Sequence, residues 1–233
     1  MRRFCDDPNL DRSPYERLRQ PNQNLPMTYS VTSRSYLQRM KTRMAENTNE
    51  SLVYAALEFR CGVEARLKEY IQTIDHIPKA QKKEWAVAKL GRSLQSAYRT
   101  GDKMMVFTIV FPEDGAELQL LYTPVTKRLQ DIAQRAGDFL HALREELADQ
   151  PGWWHEFRQI LHEGYPLLEL ANSGELIGLP LLHRPTKRID MRAVLLEGDS
   201  RYPLVSRLQA GCQHILHVAY IDPIPGTFTY YEG

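Results

Sequence analysis

The stretch RAGDFLHALREE, residues 135–146, sets an arginine and a histidine six positions apart, Arg135 and His141. An imidazole titrates near neutral pH and can give or take a proton there. A guanidinium can steady a phosphate while negative charge builds on it. Together they could cut an RNA phosphodiester without a metal ion. A third residue joins them in this reading. Glu64 lies one helical turn from Arg60, on or beside an apolar stripe that holds Ala56, Val63 and Leu67. Charges on a core-facing seam must be paired or must serve something. Two accounts stay open: Arg60 and Glu64 form an internal ion pair that fixes helix register, or Glu64 reaches Arg135 on a neighbouring helix. Helix geometry sets a condition on the chemistry. Arg135 and His141 stand about 120° apart around an ideal helix and about 9 Å apart along it. They converge only on a substrate, across a dimer interface, or if Gly137 distorts the helix. Asp138 shares their polar side, which also fits plain i,i+3 surface pairing.

The spacing falls within the Arg-(four to six)-His pattern and, set among amphipathic helices, resembles the HEPN helical proteins of bacterial defence and toxin systems. The resemblance covers roughly residues 50–165. It implies a metal-independent endoribonuclease acting as a dimer, with Arg135 and His141 catalytic and Glu64 in support. It is equally compatible with an accessory component of such a system. The loose pattern occurs a second time, at Arg207 and His214.

The densest basic stretch is HRPTKRIDMR, residues 183–192. Arg184, Lys187, Arg188 and Arg192 could track a phosphate backbone. The stretch lacks interleaved aromatics for base stacking and serves as well as a solubilising loop. His155 and His162 share a helix face but stand about 10 Å apart, too far for one metal ion. Cys212 and His214 share a strand face, yet no second CxC or HxH completes a zinc set. No Gly-rich phosphate loop, GxSxG or HExxH is present. No metal and no cofactor is expected.

Several elements must position these residues. Val53, Ala56, Val63, Leu67, Tyr70 and Ile74 recur at helical spacing from about 50 to 74, with Leu52 and Phe59 widening the face. Asn49 or Ser51 can cap that helix. A second helix is expected over about 79–99. MMVFTIVF, the turn PEDGAE and LQLLYTPV then read as a hairpin. A third helix is expected over about 126–148, and Pro151 opens a fourth that carries Trp153, Trp154 and Phe157. After about Ser173, GELIGLPLL, DMRAVLLEG and CQHILHVAYID read as short strands.

The fold class is therefore α+β: a helical bundle with an inserted β-hairpin, followed by a small β-rich C-terminal part. The expected division is a flexible N-terminal arm over 1–33, a bundle over 34–173 with the hairpin at about 104–124, and the C-terminal region over 174–233. Four prolines break the arm, and Met27 is an alternative start. The 233 residues carry 30 basic and 29 acidic side chains, a net charge of +1. Contact with a polyanion must then come from a local patch. Three scattered cysteines fit a reducing compartment, and no apolar run reaches the roughly 18 residues of a membrane span. The expectation is a cytoplasmic protein that contacts a partner chain, a second copy of itself or RNA, without a membrane and without catalysis. The alternative is the HEPN-like ribonuclease.

Overall fold

The computed structural model describes residues 29–73, 91–92, 101–142, 151–178, 181–183, 188–190, 193–195 and 198–222. Helix α1 (Ser33–Glu46) starts where Thr32 accepts the Ser35 amide on its hydroxyl, and ends where Asn47 turns left-handed at φ 54°. Asparagine tolerates that conformation better than most residues. Helix α2 (Asn49–Thr73) runs as the periodicity requires and begins one residue earlier; the end expected at Ile74 lies outside the described residues. Its cap is Thr48 rather than Asn49 or Ser51. The Thr48 hydroxyl accepts the Ser51 amide, and the Ser51 hydroxyl accepts the Thr48 amide. The reciprocal pair satisfies two backbone donors at once.

Strands β1 (Met104–Phe111) and β2 (Ala116–Tyr122) form the expected hairpin, and Gly115 supplies the positive φ of its turn. Helix α3 (Lys127–Ala142) and helix α4 (Pro151–Ser173) follow. The rest of the helix expected to end near 148 lies outside the described residues. So does the one expected over 79–99, except for Gly91 and Arg92, which are helical. The short strands β3 (Leu176–Ile177), β4 (Leu181–His183), β5 (Arg188–Asp190) and β6 (Ala193–Val194) pair as β3 with β6 and β4 with β5. Helix α5 (Tyr202–Gln209) and strand β7 (Ile215–Ile221) close the described chain. The class is α+β: helices over an antiparallel sheet of order β2-β1-β7.

The expected C-terminal region does not hold to itself. β7 pairs antiparallel with β1, Val218 opposite Phe107, so it extends the hairpin's own sheet. Residues from Val31 onward accordingly cluster as one unit, without a boundary near 174. A strand reads the same in sequence whichever sheet receives it, which is why the periodicity gave no hint of this. The expected N-terminal arm lies outside the described residues as far as 28, with Met27 in it. Its last member, Ser33, is buried and begins α1. No helix among the described residues is long and apolar enough to cross a membrane.

The core lies between α2 and what surrounds it. Phe59, Val63, Leu67 and Tyr70 are fully buried on α2, against Leu129 and Ile132 of α3 and Phe157, Leu161 and Leu168 of α4. The sheet adds Phe107, Ile109, Leu118 and Leu120 from one face, with the period of two that a pleated strand imposes. Phe139 stacks on Phe157 with ring centroids 5.3 Å apart, joining α3 to α4. Leu140 is only partly buried, at the margin of this core rather than the centre its spacing implied.

Two glycines let α2 and α4 approach. A Cβ on Gly164 would stand 2.4 Å from the Phe59 ring, and one on Gly62 would stand 2.9 Å from a Leu168 methyl. Gly164→Ala gains about 1 kcal/mol of helix propensity. It also forces a fully buried ring to move, at about 1–3 kcal/mol for overpacking. We expect a net loss of stability in urea unfolding. A variant as stable as the parent would show that the contact is looser than described.

Candidate functional site

Arg135 and His141 are both exposed on α3, which runs as an uninterrupted α-helix through Gly137. The distortion that might have brought them together is absent. Gly137 has another purpose: a Cβ there would stand 2.8 Å from Arg60 Nη1, so the glycine makes room for the Arg60 guanidinium. Arg60 Nε in turn donates to Glu64 Oε1 at 3.2 Å. Glu64 is thus the i,i+4 partner of Arg60, although the pair is half-buried rather than internal. Arg135 faces Glu156 of α4 at 3.9 Å, with both side chains at least half exposed, and Asp138 accepts from Gln134. Among the described residues no bond links Arg135, His141 and Glu64.

The second Arg–His match is brought together, by β1. The Arg207 guanidinium lies 4.1 Å from the centre of the Phe111 ring, and the His214 ring stands 6.5 Å from the same ring. Arg207 is already neutralised, however. It donates to Asp114 at 2.8 Å and lies 3.7 Å from Glu113. Its hydrogen bond is the main reason that the Asp114 carboxyl sits below the usual carboxylate value. A cation held by two carboxylates and stacked on an aromatic ring fastens α5 to the hairpin turn. It has little left to offer a phosphate.

Of the basic stretch, Arg184, Lys187 and Arg192 lie outside the described residues, and Arg188 begins β5. His214 Nδ1 lies 2.9 Å from the Cys212 carbonyl oxygen. Among the described residues no three of His, Cys, Asp and Glu are grouped to hold a metal.

Two polar clusters went unread in the sequence. The first surrounds Arg66, which is fully buried on α2. Its Nε donates to the Ala171 carbonyl at 2.7 Å, and Nη2 donates to the Gly174 carbonyl at 2.8 Å and to the Tyr70 hydroxyl at 3.0 Å. Nη1 reaches Glu69 at 3.4 Å. Glu69 also accepts the Ser33 amide, an orphan donor of the first turn of α1, at 2.7 Å. Tyr70 donates onward to the Thr123 carbonyl at 2.7 Å. One guanidinium therefore ties together the end of α4, the start of α1 and the strand-to-helix link after β2.

The second cluster closes the outer edge of β2. The Glu175 amide donates to the Leu121 carbonyl at 2.8 Å, and the Glu175 carboxylate accepts the Leu121 amide at 2.6 Å. Arg201 takes the Gln119 carbonyl at 2.9 Å and Glu175 at 2.7 Å with one nitrogen. Its other nitrogens fork onto Asp199 at 2.9 and 2.6 Å. Such a two-pronged pair is stronger than a single-point contact. Among the described residues the opposite edge of the sheet has no such cover. Among the described residues β7 pairs with β1 alone, and Ile215, Val218 and Tyr220 are 50%, 37% and 60% exposed.

Two expectations follow. Arg66→Ala removes the side-chain donor of the Gly174 carbonyl, one of two donors to the Ala171 carbonyl, and the cation beside Tyr70 and Glu69, and should cost about 3–5 kcal/mol, the range for breaking a buried ionic contact. Arg66→Lys should recover little, because one ammonium cannot reproduce a planar fork. A loss below 1 kcal/mol in chemical denaturation would refute the role. Asp199 gives a pH test. The Arg201 hydrogen bond holds its carboxyl below the ordinary 3.8. A depressed folded-state value stabilises above the unfolded value, and that stability is lost as pH falls through the folded one. Asp199→Asn should therefore be less stable than the parent at neutral pH, and the two should converge in acid below that value. A gap that stays constant with pH would contradict the pairing. Comparison with family models, with curated proteins and with solved structures found no match.

Proposed function

We propose that this chain is a non-catalytic interaction protein that receives another polypeptide along the outer edge of β7. The observation that carries this reading is the contrast between the two edges of one sheet. An edge strand presents a row of unpaired N–H and C=O groups, and proteins ordinarily blunt it with charge, proline, a bulge or a covering segment. On β2, Glu175 occupies the amide and carbonyl of Leu121, and Arg201 occupies the carbonyl of Gln119. The strand ILHVAYI of β7 carries no proline and no acidic or basic residue other than His217. An added strand gains affinity from main-chain bonds and selectivity from alternate side chains. Ile215 on one face, and Val218 and Tyr220 on the other, supply apolar side chains for that selection.

The geometry lends less support to the ribonuclease. Arg135 faces a carboxylate, His141 is exposed on α3 without a described partner, and Glu64 holds Arg60 instead. An RNA contact rests on Arg184, Lys187, Arg188 and Arg192 alone. The test is direct. Purified full-length protein, incubated with single-stranded and structured RNA without added metal, should leave both intact. Arg135→Ala and His141→Ala should alter the melting temperature by at most a few degrees, as expected for exposed substitutions. Metal-independent cutting that disappears with His141→Ala would overturn the reading in favour of the enzyme.

A further inference from the structure

We infer that the occupant of the β7 edge is β7 of a second copy, paired antiparallel about a two-fold axis at Val218. This rests on the interaction reading above and names its partner. The argument is one of self-complementarity. A two-fold axis normal to the sheet keeps each face on its own side, so every residue of β7 must meet a residue of its own face. Centring on Val218 uses all seven residues of the strand. Val218 then meets Val218 of the partner subunit, and Leu216 meets the partner's Tyr220. On the other face Ile215 meets the partner's Ile221, and His217 meets the partner's Ala219. Aromatic-to-aliphatic and aliphatic-to-aliphatic opposites are the favourable cross-strand pairs.

Charge agrees with this register. The seven residues contain no Lys, Arg, Asp or Glu, so no like charges are opposed at the seam. One step beyond the strand at each end, His214 meets the partner's Asp222, an acid opposite a base, and the symmetry provides the contact twice. Asp222 is 78% exposed and already leans on Lys103, and His214 is exposed. The result is a continuous six-stranded sheet, β2-β1-β7 joined to the same order reversed. Its two outer edges are then the two β2 strands closed by Glu175 and Arg201. Pairing removes the remaining open edge from both copies. The pairing is small, so a dissociation constant about micromolar is expected.

Sedimentation equilibrium on the full chain, at concentrations from about 1 to 100 μM, measures this. The expected result is a mass rising from 27.0 kDa to twice that value. Val218→Lys sets two ammonium groups face to face on the axis and should keep the protein monomeric with an unchanged circular dichroism spectrum. Should that variant misfold, Tyr220→Lys sets a charge against the partner's Leu216 at both ends of the seam, at a more exposed position, and should also keep the protein monomeric. Dimers that persist in both folded variants would overturn the inference, because association would then use another surface. A parent chain that stays monomeric throughout would overturn it too. A synthetic peptide of residues 213–222 then separates the two failures. If it slows amide exchange along β7 of a monomeric parent, the edge still receives a strand and only the second copy is wrong. If it binds nowhere on β7, the interaction reading falls as well.

Discussion

A single buried cation organises this fold. Arg66 on α2 is surrounded by backbone carbonyls from the end of α4, and no apolar side chain could replace what it does there. Helix C-termini carry carbonyls without intrahelical partners, and the end of α4 is buried against α2. Water cannot reach those groups, so a donor must come from the protein. A guanidinium has five N–H donors in a fixed fork. It can therefore meet Ala171, Gly174, Tyr70 and Glu69 together. Burial works against the charge, but Tyr70 and Glu69 outweigh it and keep the group protonated. Through Glu69 the same cation reaches the first amide of α1, and through Tyr70 it reaches the link between β2 and α3.

This junction fixes where the sheet lies. Thr123 donates to the Ala171 carbonyl and accepts the Gly174 amide, so the chain leaving β2 is bonded to the chain leaving α4. Glu175 then comes directly beside Leu121 and takes both of its main-chain groups. The closed edge of β2 is thus a consequence of the Arg66 junction, whose Gly174 directly precedes Glu175. β7 arrives from the other side, after α5, with no comparable segment beyond it among the described residues.

Much of this was legible in the sequence, for reasons that differ from element to element. α2 and the hairpin were readable because apolar residues recur at 3.6 and at 2, and Gly115 marks the turn. Pro151 announced the start of α4. The first helix was not singled out: SRSYLQRMKTRMAE buries only Ser33, Leu37 and Met40, too few to make a visible stripe. Nor was α5, an eight-residue helix without a fully buried side chain. Arg60 and Glu64 read as an internal ion pair; the pair is there, but with Arg60 38% exposed it lies at the margin of the core. Gly137 was suspected of bending α3, whereas it accommodates Arg60 across a helix–helix contact. That is a tertiary role with no local signature. Arg66 is the clearest omission. Its spacing, one residue before Leu67 and four before Tyr70, places it beside the stripe, where an arginine ordinarily reads as solvated. Only the approach of α4 from more than a hundred residues away buries it.

The same distinction governs the candidate sites. Arg135 and His141 are close in sequence, and a helix holds them apart. Arg207 and His214 match the pattern no better, yet a turn brings both to Phe111, where the arginine is taken by two carboxylates. Spacing alone therefore separates neither pair from the other. What separates them is which partners each cation has already acquired. By that criterion Arg60, Arg66, Arg201 and Arg207 serve the fold. β7 differs from all of them in having main-chain groups and apolar side chains that the described fold leaves unused. Hydrogen-bonding groups along a strand gain partners only when another strand lies beside them.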